Sequence, residues 1–432
     1  MKKIISLVIA CTIIISGMFI YNKSDKKDVL EDNNGPIMAA VIDGKASTTF
    51  PTTNKYVATV ECTRNGVKQD VGAKAIWNGS KWVVSIGNIS AGNVRCNATF
   101  ITKVPTLAET ILANNEVKAP ITTPGAAVST ASEALLASAE DDYGTSYYFR
   151  GAVTNNYVQF ANKCWRIVRV GGDGSVKLIL HNDNTAKAAN PCDAANNSAS
   201  AAFARYSGTT YKSAFNANYN DNAYVGFKYG TVGSSTYEAT HANTNNSTIL
   251  TNLETWYTNN LKTYESVIDD NVWCNDKTNV TDTTYNPWNM SNVNGLGYGT
   301  NKTYYGAMQR LVSASDSAGG TGPSLKCNGE LSKINSKVGL ITADELAYAG
   351  YAYNISNTTT YLQENATDTY WWSLSPRGFF GSYASVWNVR GGNGRFDGSD
   401  VNGSSGVRPS ISLKPSTNVT GNGTSEKPYV VN

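Results

Sequence analysis

The chain opens on an unbroken apolar stretch, Ile4 to Tyr21, behind Lys2 and Lys3. As a helix these 18 residues would rise about 27 Å, close to the thickness of a bilayer core. No A-x-A arrangement of small residues follows at Tyr21-Asn22-Lys23-Ser24, so an uncleaved membrane anchor through residues 4–21 is expected in preference to a cleaved signal. A lipoprotein modified at Cys11, within Val8-Ile9-Ala10-Cys11, is the competing reading, and it leaves an apolar core of only seven residues. Residues 1–24 thus read as the anchor and 25–38 as a polar spacer. Everything beyond about Asp25 is expected outside the cell.

From residue 39 to 103 the pattern changes to short alternating segments: Lys55 to Cys62, Ala73 to Trp77, Lys81 to Ile86 and Asn93 to Phe100. Asn78-Gly79 between the second and third is a hairpin turn signal. With cysteines on the outer pair, these strands predict a small β-sandwich of immunoglobulin-like type. Residues 104–140 predict a short helix, with Leu107, Ile111 and Leu112 at helical spacing, and then a Pro, Thr and Ala-rich linker.

The largest unit, residues 141–432, opens with aromatic strands read as an antiparallel meander: Ser146 to Arg150, Tyr157 to Phe160, Cys164 to Val170 and Val176 to Leu180. Helices are expected over Ile249 to Ile268 and Thr303 to Ala314. Val338 to Thr342 reads as a strand running into a helix that Thr342 and Glu345 cap, which gives the acidic pair Asp344 and Glu345 a structural role.

Charged residues make up 16% of the chain, and 36 basic against 33 acidic groups leave a net charge of +3, so nucleic acid is not expected as a partner. Without Cys11, six cysteines remain. Neighbour pairing (Cys62 with Cys96, Cys164 with Cys192, Cys274 with Cys327) respects the domain boundaries, although six cysteines allow fifteen connectivities. His181 and His241, the two histidines, lie in Asn-rich settings and read as surface groups.

Five segments, taken in order, carry a family likeness: Asn155 to Phe160 with Cys164 to Arg169; Val338-Gly339-Leu340-Ile341-Thr342; Tyr370-Trp371-Trp372-Ser373-Leu374-Ser375-Pro376; Gly406-Val407-Arg408-Pro409; and the terminal Gly421 to Val430. Through them the chain resembles bacterial surface proteins with a C-type-lectin-like domain, related in fold to the formylglycine-generating enzymes. The resemblance covers about Asp142 to Val431 and implies an α+β domain in which the aromatic and Arg-Pro motifs form a scaffold beneath a displayed loop face. Members of this fold include targets of diversity-generating retroelements, in which Asn codons of a copied template scatter over many residue types but never yield Lys, Gln, Glu, Met or Trp. Arg377 to Ser405, between two scaffold motifs, holds no Lys, Gln, Glu or Met and one Trp, Trp387.

Within that stretch, aromatic and Arg groups stand among Gly, Ser, Asn and Asp, the composition of antibody paratopes. The expected ligand-binding residues are Arg377, Phe379, Phe380, Tyr383, Ser385, Asn388, Arg390, Asn393, Arg395, Phe396, Asp397, Ser399, Asp400, Asn402 and Ser404. Trp387, Val386 and Val389 are expected to point into the core. Trp371, Trp372 and Arg408 read as scaffold, with Arg408 buried against backbone carbonyls or a carboxylate. Cysteines late in the chain, which the formylglycine-generating relatives need, are missing after Cys327, and the Glu-Pro-Asn and Trp-Asn-Asp calcium motifs of sugar-binding lectins are absent. Oxygen ligands from Asp397, Asp400, Asn393 and Asn402 are a minority calcium reading. The expectation is therefore a surface display protein, without catalytic activity, metal or cofactor, binding an extracellular protein or glycan. The alternative is a fixed-specificity glycan-binding adhesin, and a third class is a hydrolase within residues 182–336.

Overall fold

The computed structural model describes residues 37–87, 94–282, 284–285 and 297–431. The expected anchor at residues 4–21 lies outside the described residues, and among these no helix is long and apolar enough to cross a membrane. The expected α+β class, with its N-terminal membrane helix, gives way to a sheet-rich protein with 36% strand and 14% helix. Sheets prevail because the two helices expected in the large unit are shorter than read, Thr248–Asn260 and Gly306–Leu311, and much of the rest forms short strands. The chain divides into two compact units, Met1–Val104 and Pro105–Asn432.

In the first unit the alternating pattern forms a five-stranded sheet in the order Lys45–Ser47, Ile37–Ile42, Val94–Thr102, Tyr56–Arg64, Val67–Gln69. Val94, Cys96, Ala98 and Phe100 point to one face and are buried, while Arg95 and Asn97 among them stay exposed, the period of two that a half-buried strand requires. The Lys74–Trp77 and Trp82–Ser85 strands form a hairpin whose turn includes Gly79 at φ 99°. Trp82 and Phe50 pack their rings on Phe100 at 5.3 and 5.1 Å. The immunoglobulin-like expectation fails in two respects. Ile37–Ile42 runs parallel to Val94–Thr102, and the Cys62–Cys96 disulfide joins directly opposed residues of adjacent strands in one sheet, where an immunoglobulin bridge spans two.

In the second unit the strands expected as a meander lie in an eight-stranded sheet. Its main path runs Ser410–Leu413, Val176–Asn182, Lys163–Val170, Tyr157–Phe160, Tyr429–Val431, Val419–Thr420, with Gly144–Gly151 and Ala134–Asp141 attached at Lys163–Val170. The terminal motif closes this sheet, since Tyr429 and Val430 pair in parallel with Val158 and Gln159. A second sheet of six strands is ordered Lys212–Ser213, Ser405–Gly406, Trp371–Phe379, Ala384–Val389, Phe396–Asp400, with Thr303–Tyr304 on the third of these. Of the segment 104–140, all but Val104 is part of this unit. Helix Leu107–Asn114 has Thr106 and Glu109 as a capping box, Leu107 N–H donates to Thr417 at 2.7 Å, and the segment expected as linker is held by Arg150. The expected 249–268 helix ends at Asn260, before a short 3-10 turn, and only Gly306–Leu311 of the 303–314 segment is helical.

Among the described residues three disulfides form: Cys62–Cys96, Cys164–Cys192 and Cys274–Cys327. Three arginines, Arg150, Arg166 and Arg408, are buried completely. Arg408 donates to the carbonyls of Leu180 and Leu362, which lie on otherwise separate segments. Replacing it removes donors from buried carbonyls that no water reaches. Arg408→Met is expected to destabilise the protein by about 2–5 kcal/mol, read as a lower midpoint in urea unfolding at unchanged slope.

Candidate functional site

Residues 377–405 form a hairpin and its return. Trp371–Phe379 and Ala384–Val389 are buried along almost their whole length, and Phe396–Asp400 pairs with the latter from Val389↔Phe396 to Ser385↔Asp400. Trp387 is buried against Phe396 and Tyr353 at ring distances of 4.8 and 5.8 Å, and Val386 and Val389 are buried with it, as expected. Trp372 fixes the opposite side by donating its indole N–H to Ser213 at 2.9 Å.

The expected binding residues separate by burial. Phe379, Ser385, Asn388 and Phe396 are buried; their expected role at a ligand gives way to packing, because alternate side chains of a strand covered on both faces point inward whichever way they turn. Asn388 donates to Ser399 at 2.6 Å and Ser385 to the Ser399 carbonyl at 3.1 Å. Arg377, Phe380, Tyr383, Arg390, Arg395, Asp397 and Ser399 are partly exposed, and Asn393, Asp400, Asn402 and Ser404 are exposed. Asp397 is the hub of this outer shell. Its carboxylate meets Arg377 at 3.1 Å, Arg390 at 3.6 Å and Arg395 at 3.8 Å. Arg377 also lies 5.7 Å from the Phe380 ring, which in turn is 5.2 Å from the Tyr383 ring. Although Asp400 is exposed as a residue, partial desolvation raises its carboxyl, against the pull of Arg377. Among the described residues no group of three or more His, Cys, Asp or Glu is arranged to hold a metal ion, and Asp397 is occupied by guanidiniums.

Both histidines depart from the surface expectation, being fully buried. Burial pushes His241 down to about 3, with Lys277 adding to the effect, and holds His181 well below its ordinary value. His241 Nε2 meets the Tyr305 hydroxyl at 3.2 Å and His181 Nε2 meets Asn365 at 3.2 Å. Asn182 and Asn184 beside His181 are themselves buried, while Asn245 and Asn246 beside His241 are exposed, so an Asn-rich setting did not reveal the burial of either ring.

A second feature went unread in the sequence. A cavity of about 280 Å³ is lined by Asp141, Arg169, Lys177, Asp276, Arg310, Asp344 and Glu345, with the Cys274–Cys327 bridge at its wall. Every one of these charges is paired: Arg169 with Asp141 and Glu345 at 2.8 and 3.0 Å, Lys177 with Glu345 at 2.7 Å, and Arg310 with Asp276 and Asp344 at 2.7 Å each. The Thr342–Glu345 capping box is present, so Glu345 serves helix and network together. The elements come from segments hundreds of residues apart, a proximity that spacing cannot show.

No protein-family model, no curated protein and no solved structure matches the chain.

Burial alone would raise the Glu345 carboxyl, yet Lys177 and Arg169 bring it down to about 2 from its ordinary 4.5. A folded value below the unfolded one means the stabilisation is complete above about pH 4.5 and is lost as pH falls toward 2. Glu345→Gln leaves two buried cations with less compensation and is expected to cost about 3–5 kcal/mol at pH 7. Thermal melts from pH 7 to pH 2.5 should show a steep loss of stability in the native protein below pH 4.5 and a shallower one in the variant.

Proposed function

We propose that the chain is an extracellular ligand-binding protein whose binding face is the outer shell of residues 377–405. The observation that carries this reading is a division of labour within one hairpin. Buried Trp371, Trp372, Trp387, Phe379 and Phe396 hold the backbone, and partly exposed Arg377, Phe380, Tyr383, Arg390 and Arg395 stand on it beside exposed Asn393, Asn402 and Ser404. Rings and guanidiniums on a rigid support supply contact area at small entropic cost, and short polar groups supply adaptable hydrogen bonds. Three disulfides suit an oxidising exterior.

The same division supports variation of this face by a diversity-generating retroelement. A segment whose stability rests on its buried half tolerates replacement of its outer half, where substitutions usually shift stability by less than about 0.5 kcal/mol. A fixed glycan-binding adhesin is the second reading, favoured by the partly exposed Phe380 and Tyr383 ring pair.

Sequencing the locus across isolates separates the two. Diversification predicts a near-copy of the 377–405 coding segment beside a reverse transcriptase, with substitutions at Tyr383, Arg390, Asn393, Arg395 and Asn402 while Trp387 and Phe396 stay constant. An invariant segment with no copy leaves the fixed adhesin.

A further inference from the structure

Within the proposed binding face the charges do not balance. Three guanidiniums converge on the single carboxylate of Asp397, and only Arg377, at 3.1 Å, is within hydrogen-bonding distance. Arg390 and Arg395 stand off at 3.6 and 3.8 Å, with about a third of each side chain exposed (34% and 35%). The Nε–H groups of both are buried without a hydrogen-bond acceptor. Those Nε–H groups are shielded from solvent, so the donors an incoming acceptor can meet are the outer N–H groups of the two partly exposed guanidiniums.

The backbone fixes where that acceptor must sit. Arg390 N–H donates to the Arg395 carbonyl and Gly394 N–H to the Arg390 carbonyl, each at 2.9 Å, so the two side chains flank one tight turn. Gly394, at φ 65°, lies against the backbone of Asn357 with no room for a Cβ, which ties the turn to the body of the unit. The Tyr370 ring lies 5.4 Å from the Arg390 guanidinium. Both guanidiniums face the same oxygen, Asp397 Oδ2, without closing on it, and planar donor forks favour bidentate pairing with a further carboxylate.

Around this point the surface is neutral and polar. Asn393, Asn402 and Ser404 are exposed, and Arg377 links the Asp397 hub to the Phe380 and Tyr383 rings. Rings offer a face to sugar C–H groups, and amides and hydroxyls match sugar hydroxyls. Asp400, farther along the same strand, is the other carboxylate of the shell. Counted with Asp397 against the three arginines, it leaves the shell at +1, and the turn itself at +2.

We propose that the ligand of this face is a carboxylated glycan, its sugar carboxylate held between Arg390 and Arg395. This rests on the reading of residues 377–405 as the binding face. The test uses the full chain with defined probes: hyaluronan oligosaccharides and their carboxyl-reduced form, 3′-sialyllactose and lactose, and poly-glutamate, against the native protein, Arg390→Gln, Arg395→Gln and Tyr383→Ala. Retention of hyaluronan or sialyllactose is expected, with their neutral counterparts at least about tenfold weaker. Each arginine variant should lose about tenfold in affinity and most of the salt dependence while keeping the native melting temperature. The hyaluronan and sialyllactose arms distinguish a uronic from a sialic acid. Equal binding of neutral and acidic glycans, or of native and arginine variants, overturns the inference while a loss in Tyr383→Ala keeps the face. Binding of poly-glutamate alone overturns the glycan class, and retention of none of the acidic probes overturns the proposal. Binding unchanged in all three variants removes the face itself.

Discussion

Buried guanidiniums hold together a unit that has too little regular structure to satisfy its own backbone. Long segments between residues 182 and 370 run without helix or strand, so their carbonyls must find donors elsewhere. Arg150 supplies the carbonyls of Ala347, Tyr348 and Thr122 and pairs with Glu133 at 3.0 Å. Arg166 donates to Val153 and Asn156 and meets Glu364 at 3.0 Å. Arg408 joins Leu180 to Leu362. Each guanidinium offers five donors in a fixed plane, so one side chain can lock three segments where a neutral amide would lock two. Lys277 does the same on a smaller scale, with oxygens of Lys228, His241 and Asn243 around its ammonium at 3.1, 2.8 and 2.7 Å; burial pushes it down to about 7.

Buried asparagines extend this pattern and explain the composition. Asn222 donates to the carbonyls of Tyr298, Gly299 and Asn301, and Asn216 to those of Tyr224 and Gly226. Asn275 donates to Leu374 and accepts from Phe227 N–H. Asn and Thr abundance is thus partly an interior property, where the amide replaces the missing ladder partner of an irregular loop. The cost is sensitivity, because a buried network with one member removed is worse than an apolar core of the same shape.

What could be read from the chain followed from local rules. Thr106 with Glu109 and Thr342 with Glu345 formed capping boxes where the residues stood in the right spacing. The Gly-Val-Arg-Pro motif could be placed as scaffold, and its parts have separate reasons: Gly406 leaves room for the Phe203 ring, Arg408 binds two carbonyls, and the Pro409 carbonyl accepts from Leu180 N–H at 2.9 Å. Adjacent cysteines paired within each unit. What could not be read depends on contacts distant in sequence. Lys177 meets Glu345 and Arg310 meets Asp344 only because the Val176–Asn182 strand and the Gly306–Leu311 helix both reach the Ala343–Ala349 helix. Phe379 and Phe396 read as displayed rings because composition gives no face, and strand register alone decides that they turn inward. The burial of His181 and His241 escaped for the same reason.

The candidate face inherits its rigidity from this interior. Gln363, buried beside the Arg408 contact at Leu362, donates to the Gly391 carbonyl. Gly391 in turn packs against the backbone of Thr367 and Thr369 with no room for a side chain. The turn that carries Arg390 and Arg395 is therefore fastened from below by main-chain contacts, which are indifferent to what its outward side chains are. A support of this kind separates two demands that usually conflict. On the proposed reading, stability rests on the buried side chains, and recognition falls to outward ones that contribute little to it. On the proposed reading the three guanidiniums at Asp397 mark the site, since ion pairs that stand off or lie partly exposed add little to folding.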